Sequence, residues 1–427
     1  MSEQPLVIDD DDRYSRLRLI AWWDQQKLRQ ASVLVVGAGA LGNEVLKNLT
    51  LVGIGRIIVI DMDQIEDSNL TRSVLFRARD RGKSKAIAAA EACRDINPDT
   101  AITPIHGNVL TDLGLGIFRD VDVVIGCLDN REARLWVNRC CWKVGTPWVD
   151  GGIQEINGVA KVFVPPDGAC YECAMTENDY RLINLRYSCP LLSREDMQSG
   201  KVPTAPTIAS MIGALQTQEA LKLIHGLPTA SGEALVFNGL ANNFYKTKFQ
   251  HREDCLSHET YPPAVEVKLS TQTATARDLF LAASEHFSLL ASGGRKPPDG
   301  DGSGGLRPPL AEDGALAEDG ALAEDGALAS GGTLTLELDR DLVESLDCGH
   351  CGHVRRVMRP QQLVGMEESR CPECHTHAKP VLQHAVGSHD ELAGQTLAAL
   401  GIPPYDIVRI NDGQQAAVFL LGGDRNK

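Results

Sequence analysis

The chain has 427 residues, a hydrophobic fraction of 43% and a net charge of −15. That length implies two or three domains with ample apolar material for a large core, and the acidic balance argues against a nucleic-acid partner. The most apolar helical stretch, residues 207–224, carries Gln216, Gln218, Glu219 and Lys222, so no membrane span is expected.

Residues 1–12 are polar and acidic; they read as a disordered tail with no signal peptide, and a cytoplasmic protein is expected. Residues 13–30 are predicted to form a helix with Leu17, Ile20 and Leu28 inward. Ser32 to Val36 is an apolar, β-branched run that predicts a buried strand. Gly37, Gly39 and Gly42 follow at GxGxxG spacing and open a helix. A second strand, Arg56 to Ile60, ends at Asp61, 19 residues after Gly42. Strand, glycine turn, helix and acid-terminated strand form the dinucleotide fingerprint: glycines admit a phosphate to the helix N-terminus, and the acid accepts from ribose hydroxyls. Helical composition at 83–95, a strand at 121–126 closing on Cys127-Leu128-Asp129-Asn130, a helix at 131–143 and a strand ending in Asp150 continue the alternation. The expected architecture is a doubly wound, Rossmann-like α/β sheet with ligand chemistry at its C-terminal strand ends, where Asp61, Asp129 and Asp150 are candidates.

The pattern then changes. Residues 158–165 read as a strand, Cys170-x-x-Cys173 follows, and the 207–224 helix packs back by its apolar stripe. Residues 293–332 are rich in Gly, Pro and Ala and repeat LAEDGA three times in tandem from Leu310. A six-residue period with a glycine in each unit fits neither helix nor heptad, so this stretch reads as a disordered tether. Around it a second, smaller α+β domain is expected, from residues 261–292 and 333–427. Its elements are a strand at 265–269, a helix at 275–287, a strand at 333–338, a short helix at 392–400 and a hairpin over 406–421 turned by Asn411-Asp412-Gly413.

Nicotinamide enzymes share the GxGxxG, but the dense polar set after Asp61 favours a triphosphate: Asp63, Asn69, Arg72 and Lys85 lie within 25 residues of it. Asp129 at a strand end can hold Mg²⁺. Gly82-Lys83-Ser84 looks like the end of a phosphate loop, yet Arg77 stands where that motif needs its first glycine, and no strand feeds it. Cys170, Cys173, Cys255 and His258 suit tetrahedral Zn²⁺, with His251 competing for the fourth place. Cys348, Cys351, Cys371 and Cys374 form C-x2-C-x19-C-x2-C, a second Zn²⁺ site of zinc-ribbon type. Cys93, Cys127, Cys140 and Cys141 suit small buried hydrophobes. Cys189 differs: Pro190 is a natural first helical residue, which makes Cys189 an N-cap, a place that favours the nucleophilic thiolate.

Arg13-Tyr-Ser-Arg16, GAGALG, IDMDQIEDSNLTR, GKSK, CLDN, VDGG and CYEC together resemble the adenylyltransferase family that joins ubiquitin-activating enzymes to the ThiF- and MoeB-type adenylyltransferases of thiamine and molybdopterin biosynthesis. The resemblance spans roughly residues 13–260. It implies that ATP and Mg²⁺ activate the C-terminal glycine of a ubiquitin-like protein as an acyl adenylate. It places ribose on Asp61, phosphates on Asn69, Arg72 and Lys85, and Mg²⁺ on Asp129. It makes Arg16 an arginine inserted into the neighbouring subunit's site, hence a homodimer, and gives Cys189 the thioester that passes to a conjugating enzyme. The 261–427 region more weakly resembles the ubiquitin-fold domain that recruits such an enzyme; a self-standing ribbon with a hairpin is the other reading. A sulfur-carrier adenylyltransferase and a non-catalytic scaffold of the same fold are the alternatives for the whole chain.

Overall fold

A computed structural model describes residues 12–180, 203–291, 333–365 and 367–425. Its larger sheet has eight strands: β1 (Ser32–Val36), β2 (Arg56–Asp61), β3 (Ala101–His106), β4 (Val123–Gly126), β5 (Trp148–Gln154), β6 (Asn157–Phe163), β7 (Glu233–Asn238) and β8 (Asn243–Lys248). Their order is β3-β2-β1-β4-β5-β6-β7-β8. The first five run parallel; the last three continue antiparallel. The chain leaves β1 on one side for β2 and β3 and returns on the other for β4, so the C-terminal ends of β1 and β4 bound the topological switch point. There Val36 pairs with Ile60 on one side and Gly126 on the other.

Helices α1 (Gln25–Gln30), α2 (Ala40–Val52), α3 (Lys85–Ile96), α4 (Leu115–Arg119), α5 (Arg131–Val144) and α6 (Pro206–His225) flank this sheet. The single helix expected over 13–30 is instead a short 3-10 turn at Leu17–Leu19 followed by α1. Asp24 divides them: its carboxylate accepts from the amides of Gln26 and Lys27, a strong start signal inside the segment. Leu28 is buried as expected, whereas Ile20 is exposed.

The second sheet contains β9 (Val265–Val267), β10 (Thr335–Asp347), β11 (Val354–Pro360), β12 (Lys379–Gly387), β13 (Ile407–Asn411) and β14 (Ala416–Leu421). Its path is β11-β10-β13-β14-β9, with β12 also paired to β10. Helix α7 (Ala276–Ala291) buries Leu279, Phe280, Ala283 and Phe287 against Leu336, Ile410, Phe419 and Leu421. The hairpin expected over 406–421 forms, with Gly413 at φ +90°. The helix expected at 392–400 does not. A 3-10 turn covers Glu391–Gly394, and the next backbone groups bond sideways: Gln395 O accepts from Ala276 N and Leu397 N donates to Ala274 O. Leu392, Leu397 and Leu400 are buried all the same, so lateral pairing displaces the helix without losing its apolar face.

The 293–332 repeats lie outside the described residues. They connect α7 to β10, two elements that share one core. They therefore do not tether one sheet to the other. The sheets are joined directly and share packing: Tyr405, Ile407, Val418 and Leu420 belong to the cluster that holds Leu115, Phe118 and Trp142. Arg340 and Asp406 form a buried ion pair at 3.4 Å within this seam. Arg340 lies over the Trp136 ring and donates to Leu110 O and Leu113 O, while Asp406 accepts from Leu115 N at 2.6 Å.

Candidate nucleotide site and metal centres

The nucleotide cradle begins where β1 ends. Gly37 adopts φ +97°, and a Cβ there would lie 2.5 Å from Cys127 O; one on Gly42 would lie 2.0 Å from Gly37 O. Only glycine lets this turn lie flat against the end of β4. Around Gly39, which precedes α2, a Cβ would meet nothing within 4 Å. This open side is where a phosphate can approach the helix N-terminus. Buried Asn43 fixes the loop from within: its amide donates to Ala38 O and Gly39 O, and its Oδ1 accepts from Leu75 N.

Asp61 accepts from Ala38 N at 2.7 Å and from Asp63 N at 2.8 Å. Burial pushes its carboxyl above the ordinary range, against the opposing pull of Lys85. Lys85, at the start of α3, is mostly buried and pairs with Asp63 at 2.7 Å. Asp61, Asp63 and Lys85 are thus brought together on one side of β1. Asn69 and Arg72 follow on the loop after β2 with local bonds: Asn69 Oδ1 accepts from Glu66 N, and Arg72 donates to Ser68 O. Asp129 stands on the other side of β1, exposed on the turn after β4. Arg16 is exposed on the N-terminal segment. Cys189 lies outside the described residues. Asp150, expected as a third open strand-end acid, is fully buried between Arg134 at 3.0 Å and Lys161 at 3.1 Å. It is neutralised internally and is not open to a ligand.

Cys170, Cys173, Cys255 and His258 bring four donor atoms within 4.8 Å of one another. Cys170 Sγ lies 3.7 Å from Cys173 Sγ and 3.5 Å from Cys255 Sγ, and Cys173 Sγ lies 3.4 Å from His258 Nε2. Tetrahedral zinc with bonds of about 2.3 Å to sulfur places sulfurs about 3.8 Å apart, so the set fits. Burial and neighbouring His251 hold His258 below its ordinary value, leaving the neutral imidazole a metal needs. His251 stacks on His258 at 4.6 Å with Nδ1 toward Gly168 O, so His258 occupies the fourth place. Glu172, between the first two cysteines, is buried and bonded to Arg139, Tyr180 and Ser257. It ties the Cys170–Cys173 turn to α5 and to the His258 turn. The second group, Cys348, Cys351, Cys371 and Cys374, also falls within 4.8 Å. Thr376 Oγ1 lies 3.3 Å from Cys348 Sγ and 3.0 Å from Cys374 Sγ, and its hydrogen bond lowers the Cys348 thiol.

Four positioning residues escaped the sequence reading: Asn43, Arg134, Glu172 and Gln216. Gln216 on α6 donates to Gly126 O and Val149 O. The signal for Asn43 and Gln216 was a polar residue inside an apolar helical stripe; its partners were not legible.

A doubly wound sheet with a glycine turn, a half-buried acid and a half-buried lysine at its switch point is the arrangement of nucleotide-binding α/β proteins. The model of the ThiF family matches residues 12–257, more than half of the chain, and the chain belongs to that family. It is 30% identical over 264 residues to ubiquitin-like modifier-activating enzyme 5 of Dictyostelium discoideum, covering 58% of this chain and 67% of that protein. It is 31% identical to a sulfur carrier protein adenylyltransferase of Thermus thermophilus, covering 57% and 89%. A Haloferax volcanii SAMP-activating enzyme E1 is 32% identical, covering 57% and 87%. Escherichia coli MccB, in a crystal structure with ATP, shares the fold at a TM-score of 0.50 and 24% identity, covering 60% and 77%. The family match ends before β9. Among the described residues, no helix is long and apolar enough to cross a membrane.

Proposed function

We propose that the chain uses ATP to adenylate the C-terminal glycine of a ubiquitin-like protein, captures the acyl group as a thioester on Cys189 and passes it to a conjugating enzyme. The observation that carries the adenylation step is the placing of Asp61 and Lys85 on one side of the β1 end and Asp129 on the other. Asp61 accepts from ribose. Lys85, Arg72 and Asn69 hold the phosphates, and Arg16 reaches the site from the second subunit of a homodimer. Asp129 would hold Mg²⁺, which offsets phosphate charge when bound. A carboxylate attacking the α-phosphate brings anion to anion, and the cations of the cradle offset that repulsion and the charge growing on pyrophosphate. No general base is required, since the attacking carboxylate is already ionised at neutral pH.

The second sheet supports the recruitment role in one respect: β9 leads into α7 and lies parallel to the last strand, β14, as in a ubiquitin fold. Among the described residues, β9 is the one strand of this sheet before α7, where a ubiquitin fold has a hairpin, and the ribbon strands β11 and β12 are additions to that pattern. A sulfur-carrier reading has equal footing among the relatives. The two separate on one experiment. With ATP and candidate Gly-terminated proteins, the thioester reading expects a reductant-sensitive adduct on non-reducing gels that Cys189→Ala abolishes. An adenylate that accumulates without such an adduct, and yields a thiocarboxylate when a sulfur donor is added, contradicts it and favours sulfur transfer.

A further inference from the structure

Asp129 is exposed on the four-residue connection between β4 and α5, yet the backbone beneath it is held by buried groups. Arg134, on the second turn of α5, folds back over the start of its own helix. Its Nη2 donates to Leu128 O at 2.5 Å and to Gly151 O at 2.9 Å, and its Nε donates to Asp150 Oδ1 at 3.0 Å. Asp150 is fully buried and bound on its other oxygen by Lys161. Gln216 ties the same two strand ends two residues earlier, through Gly126 O and Val149 O. Asn130 caps α5 by accepting from Ala133 N. The Leu128 carbonyl belongs to the peptide that precedes Asp129, so the direction of that carbonyl sets where the Asp129 side chain leaves the chain.

We infer that Arg134 is the positioning residue for Asp129: its guanidinium, locked by Asp150, fixes the Leu128–Asp129 peptide and so aims the carboxylate at the metal–phosphate position. This rests on the adenylation reading above. A planar fork with several donors suits the task, because one side chain must satisfy two carbonyls and a carboxylate in fixed directions. Lysine keeps the charge but cannot hold three acceptors in that geometry.

The test uses the full chain, ATP and MgCl₂, with ATP affinity measured by calorimetry across a magnesium series. In the wild type, magnesium tightens ATP binding. Arg134→Met is expected to lose about ten-fold of that magnesium-dependent gain while metal-free ATP affinity stays within about two-fold, because the Asp61–Lys85 side of the cradle is untouched. Arg134→Lys, the variant to rely on if Arg134→Met fails to fold, is expected to lose about three-fold. Asp129→Ala should remove the same gain, and Asp129→Ala with Arg134→Lys should lose no more than Asp129→Ala alone, the signature of one residue acting through another. Wild-type magnesium dependence in Arg134→Lys, equal loss of metal-free affinity, or additive losses in the double variant each overturn the positioning role. A wild type that binds no ATP overturns the adenylation reading itself and this inference with it.

Discussion

The two ligand clusters, three cysteines with a histidine and four cysteines, sit in opposite settings. Cys170, Cys173 and Cys255 are buried within the cluster that also holds Trp142, Trp148, Phe163 and the seam residues Tyr405 and Leu420. Trp142 stacks on His258 at 5.1 Å, and Glu172 runs hydrogen bonds from the same turn to α5. Cys348 and Cys371 instead sit in a small cluster of their own with Val343, Leu346 and Ala378, and Cys351 is exposed. A metal in the first site would close the core of the larger sheet. A metal in the second would close only the loops between β10, β11 and β12. A shared pattern of paired ligands with two residues between them therefore says nothing about how far the loss of the site spreads; its neighbours decide that.

The comparison breaks most visibly at Cys170. Cys170→Ser is expected to release one zinc per chain and to lower Tm by about 10 °C or more, since metal binding there is folding energy for the main core. Calorimetry with metal analysis checks this, and an unchanged Tm would move the first site to the periphery. Next in size is the seam. Asp406→Ala strands Arg340 as a buried, unpaired cation and is expected to cost about 3–5 kcal/mol in denaturant unfolding. A cost near zero would mean that the two sheets separate readily. Cys371→Ser should lower zinc from two to one per chain and leave the main melting transition within about 2 °C, with new proteolytic cuts confined to residues 348–379.

A smaller effect concerns pH. Burial raises the Asp61 carboxyl above its ordinary value of 3.8. A raised value means that the proton returns at a higher pH than usual on acidification, and the neutral acid no longer accepts two ribose hydroxyls. ATP affinity should therefore fall as the pH drops through this raised value, and Asp61→Asn should bind weakly with that dependence removed. An unchanged acid limb in Asp61→Asn would assign the titration to another group.

What was legible in the sequence was local. The glycine turn and Asp61 were read from 30 residues of strand–turn–helix–strand pattern, and the structure sets the turn at the end of β1 and Asp61 at the end of neighbouring β2, bonded to Ala38 N. Both ligand clusters were read from paired ligands with two residues between them, Cys-x-x-Cys throughout except for Cys255-x-x-His258. The misread parts depend on partners far along the chain. The 392–400 segment has helical composition, but its backbone bonds to residues 274–276. Asp150 looked like an open strand end because Arg134 and Lys161 approach it through folding alone.

The central claim is that this cradle activates a carboxylate with ATP. The most direct measurement is ATP–pyrophosphate exchange by the full chain with a panel of purified ubiquitin-like and sulfur-carrier proteins ending in glycine, comparing wild type with Asp129→Ala. The account predicts exchange that requires one such protein with its terminal glycine intact and falls at least about 100-fold in Asp129→Ala, roughly 2.7 kcal/mol of lost transition-state stabilisation. Exchange that persists in Asp129→Ala with magnesium present, or that needs no terminal glycine, would contradict it.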